Sequence, residues 1–157
     1  MTVGRQRSVK ISGTLLGDIV PKVEADLDAA LAGTLGKTQA ALSESNPKDS
    51  GRMASSWFIG YNTPERGARP ESWAPKGAKR VELSIYPPNS ITFKDEWYIS
   101  NNLPYSVPVC LLGGYPRSWG GSAPTSIPED WFTAIVNQIP TTFQNEYKDA
   151  EQSRRFF

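Results

Sequence analysis

The sequence predicts an α+β fold, in which a long N-terminal helix and a C-terminal helix pack on a small antiparallel sheet of three or four strands. An apolar stripe at helical spacing follows the N-terminus, short alternating segments occupy the middle, and a second stripe precedes the C-terminus. Strands that run together between flanking helices are typical of α+β domains. At 157 residues the chain fits one domain with a core of its own.

The first helix is predicted to start at Thr14 or Asp18 and to stop at Asn46-Pro47, because the residue before a proline disfavours helical backbone. Gly33 and Gly36 weaken its middle and permit a bend, or the close approach of another backbone. Its apolar stripe recurs at three- and four-residue steps through Val20, Val23, Leu27, Leu31, Leu35 and Leu42.

Three strands are predicted next, at residues 56–61, 81–86 and 96–100, where apolar or aromatic side chains alternate with small or polar ones. Pro- and Gly-rich loops occupy residues 62–80 and 103–128, and we expect no regular element in either.

The final helix is predicted to start near Pro128-Glu129-Asp130, where acidic residues suit the helix dipole, and to kink at Pro140. One face of this helix carries its large apolar residues, namely Trp131, Ile135, Ile139 and Phe143.

The domain organisation predicted from this outline has three parts. Residues 1–13 form an extended basic arm, residues 14–152 form a single α+β domain, and residues 153–157 form a C-terminal tail. The arm carries three positive charges and no acid, in Arg5, Arg7 and Lys10, and the tail ends in Phe156 and Phe157.

The amino-acid composition limits which classes of function the chain can have. With 17 basic and 16 acidic residues, the chain is poorly suited to broad electrostatic binding of nucleic acid or of an anionic membrane. The chain has no histidine and one cysteine, which excludes the usual Ser or Cys triads and His-ligated metal sites. Cys110 is expected to be a small buried hydrophobe, and we expect neither a signal peptide nor a membrane span. The expectation is therefore a protein that is not an enzyme and holds no cofactor.

Two stretches combine turn-forming residues with an apolar or aromatic strand end. In Asp49-Ser50-Gly51-Arg52 the carboxylate can accept nearby backbone N–H groups, and Gly51 permits positive φ, so the chain turns from helix to strand and aims Arg52 outward. In Asn101-Asn102-Leu103-Pro104-Tyr105 the asparagines tolerate left-handed backbone and Leu103 is held extended before proline. Both stretches also fit ordinary structural corners.

These stretches resemble the tail-completion, or head-tail joining, proteins of the necks of tailed bacteriophages. That family shows a Pro-x-Asp-(Thr/Ser)-Gly-Arg-x-x-x-Ser-Trp stretch after a long first helix, and Asn-Asn-Leu-Pro-Tyr later, at the end of a strand. The first stretch is matched by Pro47, Asp49, Ser50, Gly51, Arg52, Ser56 and Trp57, and the second by Asn101, Asn102, Leu103, Pro104 and Tyr105. Residues 107–127 depart from the family pattern.

The resemblance implies a structural virion protein that forms a homo-oligomeric ring, six-fold or sometimes twelve-fold, between the portal-adaptor complex and the tail. Its partners would be copies of itself, the portal or adaptor proteins, and the tail terminator or tube. It would be located in the virion neck after assembly in the host cytoplasm, with no membrane contact.

The two long loops are expected to expose Trp73, Tyr115 and Trp119, and together with the termini they supply candidate interface residues. Aromatic residues and arginine are enriched in interface cores, but the same aromatic residues also suit a sugar-stacking platform or a solvated loop. The basic charges of loop 62–80 could alternatively contact DNA phosphates in a channel. The candidates are Arg5, Arg7, Lys10, Arg66, Arg69, Trp73, Lys76, Lys79, Arg80, Tyr115, Arg117, Trp119, Phe156 and Phe157.

Two alternative functions remain open at this point. One is a carbohydrate- or host-surface-binding module that uses the loop Trp and Tyr residues. The other is a small hydrolase built on a carboxylate pair such as Asp95 and Glu96, although adjacent acids on a strand point apart.

Overall fold

The computed structural model describes residues 13–111 and 130–155. Helix α1 spans Gly13–Ser45, strand β1 Phe58–Tyr61, strand β2 Trp97–Ser100, helix α2 Ser106–Leu111 and helix α3 Trp131–Arg155. Two long helices with a small antiparallel sheet confirm the α+β class. In the part of the chain that the structure describes, no helix is long and apolar enough to cross a bilayer.

The sheet is a two-stranded antiparallel pair in which Phe58 faces Ser100 and Tyr61 faces Trp97. The prediction of a third strand at residues 81–86 is wrong for this structure, because that segment forms no ladder with β1 or β2. Its main chain is held by side chains instead. For example, Glu82 N–H donates to Ser55 Oγ at 3.0 Å.

Helix α2 lies inside the segment that was predicted to lack regular structure, so that prediction is wrong for residues 106–111. The sequence did not indicate this helix because it contains Pro108, and proline in most contexts indicates a loop. Proline is tolerated in the first turn of a helix, however, because its missing N–H has no partner there in any case. Val109 then donates its N–H to the carbonyl of Tyr105 at 3.2 Å, and its side chain is buried.

The long helices α1 and α3 pack against each other, and their surfaces come close together at Gly33. A Cβ added at Gly33 would collide with the side chain of Glu146, whereas a Cβ at Gly36 would meet nothing within 4 Å. Lys37 forms an ion pair with the same Glu146. The neighbour at Gly33 is thus a side chain of α3, not the predicted backbone, and nothing lies close to Gly36. Helix α3 continues through Pro140 to Arg155.

Two apolar clusters form the core. The larger joins the end of α1 to both predicted corners, α2 and the start of α3 through Leu42, Met53, Trp57, Leu103, Val109, Cys110 and Trp131. The smaller packs α1 on the sheet through Leu35, Ile59 and Ile91. The N-terminal part of the apolar stripe of α1 lies outside this core, since Ile19, Val20 and Val23 are 45%, 46% and 36% exposed.

Candidate functional site

The first corner, residues 46–57, is closed by a buried hydrogen bond. Trp57 Nε1 donates to Asn46 Oδ1 at 2.9 Å, so the end of helix α1 is tied to the start of strand β1. The Asn46 N–H continues the helical pattern by donating to the Leu42 carbonyl. Pro47, Ser55 and Ser56 are also fully buried in this corner.

Gly51 allows the corner to lie against another part of the chain. Its φ is +90°, as the sequence predicted, and a Cβ there would overlap the main-chain carbonyl of Arg80. The chain passes that close because Lys79 N–H donates to the Asp49 carbonyl and Arg80 N–H to the Ser50 carbonyl, both at 2.8 Å. Only glycine fits this position, since any side chain would be both strained and blocked.

Asp49 and Ser50 use their side chains in different directions. Asp49 Oδ1 accepts the N–H of Gly77 across the corner at 2.8 Å, whereas Ser50 Oγ accepts the N–H of Arg52 locally at 3.2 Å. The Asp49 side chain is nearly buried, so its carboxylate holds the end of loop 62–80 in place.

The prediction that Arg52 points outward is wrong. Arg52 Nε donates to the Arg69 carbonyl at 2.7 Å, and its guanidinium lies beside the hydroxyl of Tyr105. Burial raises the pKa of Tyr105, and the neighbouring positive charge opposes that shift. Arg52 therefore joins the first corner both to the loop and to the second corner.

The second corner, residues 101–105, is bound directly to the first. Asn101 Nδ2 donates to the Met53 carbonyl at 2.9 Å, while Asn101 Oδ1 accepts the N–H of Leu103 at 3.3 Å. Asn102 donates to the carbonyl of Glu65 at the start of loop 62–80. Leu103 is buried, and Pro104 beside it is exposed. The two stretches that carry the resemblance thus meet as one structural unit, which we call the corner junction (residues 46–57 and 101–105).

Loop 62–80 folds around a buried aromatic residue, Trp73, which stacks on two arginines of the same loop. The Arg69 and Arg80 guanidinium carbons lie 4.8 and 4.1 Å from the Trp73 ring centroid, and Trp73 Nε1 donates to the Arg80 carbonyl at 2.9 Å. The prediction that Trp73 is exposed is wrong, because only 9% of it is accessible. These cation–π contacts cover the face of the Trp73 ring on which a sugar would have to stack.

Arg69 holds the loop in place through several hydrogen bonds. Its Nε donates to the Ser55 carbonyl at 3.1 Å, and its Nη2 donates to the Glu82 carbonyl at 3.1 Å and to Ser84 Oγ at 3.0 Å. Its own N–H donates to Ser56 Oγ at 3.0 Å. Arg69 therefore has an internal role, whereas Arg80 covers Trp73 while 49% of its own side chain stays accessible.

The other basic residues of the loop, Arg66, Lys76 and Lys79, are exposed. The remaining predicted interface residues, Arg5, Arg7, Lys10, Tyr115, Arg117, Trp119, Phe156 and Phe157, lie outside the described residues.

Sequence reasoning missed Gln39, which is buried in α1. Its Nε2 donates to the Trp57 carbonyl and to the Ser84 carbonyl, each at 2.9 Å, so one amide bridges the corner and the segment after the loop. The available signal was a polar residue set within the apolar stripe, four residues after Leu35. A buried polar side chain must find partners, and here they are main-chain carbonyls.

An apolar groove of about 530 Å³ lies between α1, α3 and the sheet. Its walls include Leu35, Trp97, Ile99, Phe132 and Phe143. Apolar residues of the α1 stripe and of the α3 stripe line the groove from opposite sides. The sequence identified both stripes, but only the tertiary packing sets the distance between them.

The titratable groups among the described residues form no group of three or more potential metal ligands. The candidate carboxylates Asp95 and Glu96 bond to separate partners, Thr92 Oγ1 at 2.9 Å and the Tyr98 hydroxyl at 2.9 Å. Burial raises the pKa of the Cys110 thiol to about 12, so the thiolate is scarce at neutral pH.

Comparisons with protein-family models, with curated proteins and with solved structures found no match to this chain.

Proposed function

We propose that this chain is a structural protein of a phage neck, a head-tail connector of the tail-completion kind that assembles as a ring between the portal-adaptor complex and the tail. The supporting observation is the corner junction: the two stretches that carry the resemblance bind each other through Asn101 and Met53, and through Arg52 and Tyr105. Polar groups that hydrogen-bond to one another in this way are typical of a structural scaffold more than of a reactive centre.

The exposed apolar start of α1 gives the proposed ring a surface for contact between copies. Ile19, Val20 and Val23 share one side of the helix and are 36–46% exposed. A helix of 33 residues is about 50 Å long, so α1 can project toward a neighbour. A head-to-tail ring needs two different surfaces on each copy, and this would be one of them.

If the ring lines a DNA channel, the exposed charges of Arg66, Lys76 and Lys79 are the ones available to phosphate. Arg69 and Arg80 contact Trp73 and main-chain carbonyls, although 49% of the Arg80 side chain is accessible. Contacts of this kind would depend on salt and would be insensitive to DNA sequence.

The experiment that tests the proposal is native mass spectrometry of the purified protein, with negative-stain imaging of the same sample and of intact particles. We expect closed rings, either of the protein alone or after addition of its neck partners. A solitary copy in the natural particle would contradict the proposal.

A matched pair of variants tests the α1 surface within that experiment. Val20→Asp with Val23→Asp should abolish ring formation without unfolding the domain, because both side chains are exposed. Thr141→Asp, at an exposed position of α3, should leave the rings intact.

A further inference from the structure

Residues 80–85 have an alternating hydrogen-bond pattern that a strand with one occupied edge would show. The main chain of every even-numbered residue is bonded to the body of the domain. Arg80 N–H donates to the Ser50 carbonyl, and Glu82 N–H to Ser55 Oγ at 3.0 Å. The Glu82 carbonyl accepts from Arg69, and the Ser84 carbonyl accepts from Gln39 at 2.9 Å.

The odd-numbered residues show the opposite behaviour. Within residues 13–111 and 130–155, no hydrogen bond involves the main-chain N–H or carbonyl groups of Val81, Leu83 or Ile85. In extended backbone, successive residues direct these groups to opposite edges, so the three residues share the outer edge. Ile85 is 82% exposed and Val81 39%, so apolar side chains lie beside this edge, while Leu83 packs against the core.

We propose that this outer edge is a β-addition site, and that the segment it binds is the N-terminal arm, residues 2–12, of a neighbouring copy. Strand addition satisfies main-chain groups directly and is a common mode of peptide recognition. The alternation of Val81-Glu82-Leu83-Ser84-Ile85-Tyr86 predicts a strand, and an added strand would supply the ladder that this segment lacks among the described residues. The inference rests on the proposed ring, since it requires a second copy.

Charge and sequence pattern favour the arm as the occupant. The arm carries Arg5, Arg7 and Lys10 without an acid, and Val9 and Ile11 alternate with polar residues as a short strand would. The exposed acid Glu65 lines the same surface depression as Ile85, whereas the Glu82 side chain, although 58% accessible, is already paired with Arg80 at 3.2 Å.

Distance favours a neighbour over the chain's own arm. The edge is anchored at Gln39, which lies 26 residues after Gly13 along α1, or about 39 Å of helix. A twelve-residue arm spans at most about 40 Å when fully extended. The chain's own arm would be used up in reaching the edge, and no residues would remain to pair with it.

The test uses a synthetic peptide of residues 2–12 and a chain that lacks those residues, followed by amide hydrogen exchange. We expect the peptide to slow exchange of the Val81 and Leu83 amides at least about tenfold. Ile85→Pro removes an outward N–H that has no partner in residues 13–111 and 130–155, so it should weaken peptide binding about tenfold. The matched control Ile85→Ala keeps that N–H and should bind within about twofold of the unaltered chain.

Three results would overturn the assignment. One is a saturating excess of peptide that leaves these amides unprotected. Another is protection of these amides in an intact chain that native mass spectrometry shows to be monomeric, which would mean that its own arm pairs with the edge. The third is concentration-dependent protection in the shortened chain without peptide, which would identify a different segment as the occupant. Peptide binding by a chain that never forms rings would instead contradict the ring alone.

Discussion

Replacing Gly51 with alanine tests the central feature of the corner junction. Positive φ costs a residue with a side chain about 1–2 kcal/mol, and Gly51 has a φ of +90°. The added Cβ would also overlap the Arg80 carbonyl and force residues 79–80 away from the corner. That movement breaks the bonds from Lys79 to Asp49 and from Arg80 to Ser50, at about 1 kcal/mol each. The sum is a loss of about 3–4 kcal/mol in the free energy of unfolding.

Urea denaturation followed by Trp fluorescence measures this loss. With an m-value of about 2 kcal/mol per molar urea, the midpoint should fall by about 1.5–2 M at unchanged m. The matched control is Gly36→Ala, because Gly36 is an exposed helical position where a Cβ meets nothing. That control should raise stability by up to about 1 kcal/mol. A Gly51→Ala protein within about 0.5 kcal/mol of the unaltered chain would refute the close approach of the loop to the corner.

Three further predictions concern buried groups of the junction and core. Trp57→Phe leaves Asn46 Oδ1 buried without its donor and should lower the free energy of unfolding, measured in urea, by about 1–3 kcal/mol. Phe132→Leu is the comparison, because Phe132 stacks on Trp57 but takes no part in the hydrogen bond. A smaller loss for Trp57→Phe than for Phe132→Leu would contradict the bond. Asn101→Ala removes the donor to the Met53 carbonyl and should cost about 1–2 kcal/mol, with an unchanged midpoint as the contrary result. The Cys110 thiol should react with a maleimide at pH 8 only on unfolding. Burial raises the pKa of this thiol from 9.0 to about 12, so its contribution to stability is full below pH 9 and is lost as pH rises toward 12. In Cys110→Ser the free energy of unfolding should therefore change less with pH over this range than in the unaltered chain.

The helices could be read from the sequence because their signal is local. The three- and four-residue spacing placed α1 and α3 within a few residues of their observed bounds, and Asn46-Pro47 marked the end of α1. Positive φ at Gly51 was predictable for the same reason, since turn chemistry depends on a few adjacent residues. The neck function, the ring and the partners rest on residue patterns and stay predictions.

The loop environment could not be read in this way. Trp73 is buried between Arg69 and Arg80, and nothing in the spacing of these residues indicates that two like charges cover one ring. Arg52 turns inward because the Arg69 carbonyl and Tyr105 are brought to it by distant parts of the chain. Contacts of this kind depend on the tertiary packing of a proline-rich loop that has no period of its own.

The sequence by itself determined the two long helices, the sharp corners at residues 49–52 and 101–105, and the strand character of residues 57–61 and 97–100, because periodicity and turn chemistry act over a few residues. Only the tertiary structure decided that the corners bind each other and that residues 81–86 stay outside the sheet. Hydrogen-bond partners such as Gln39 and Arg69, far away along the chain, occupy one edge of that segment and leave the other without partners among the described residues. Alternation specifies a segment able to form a strand, but the chain that pairs with it is set by which edges meet in space.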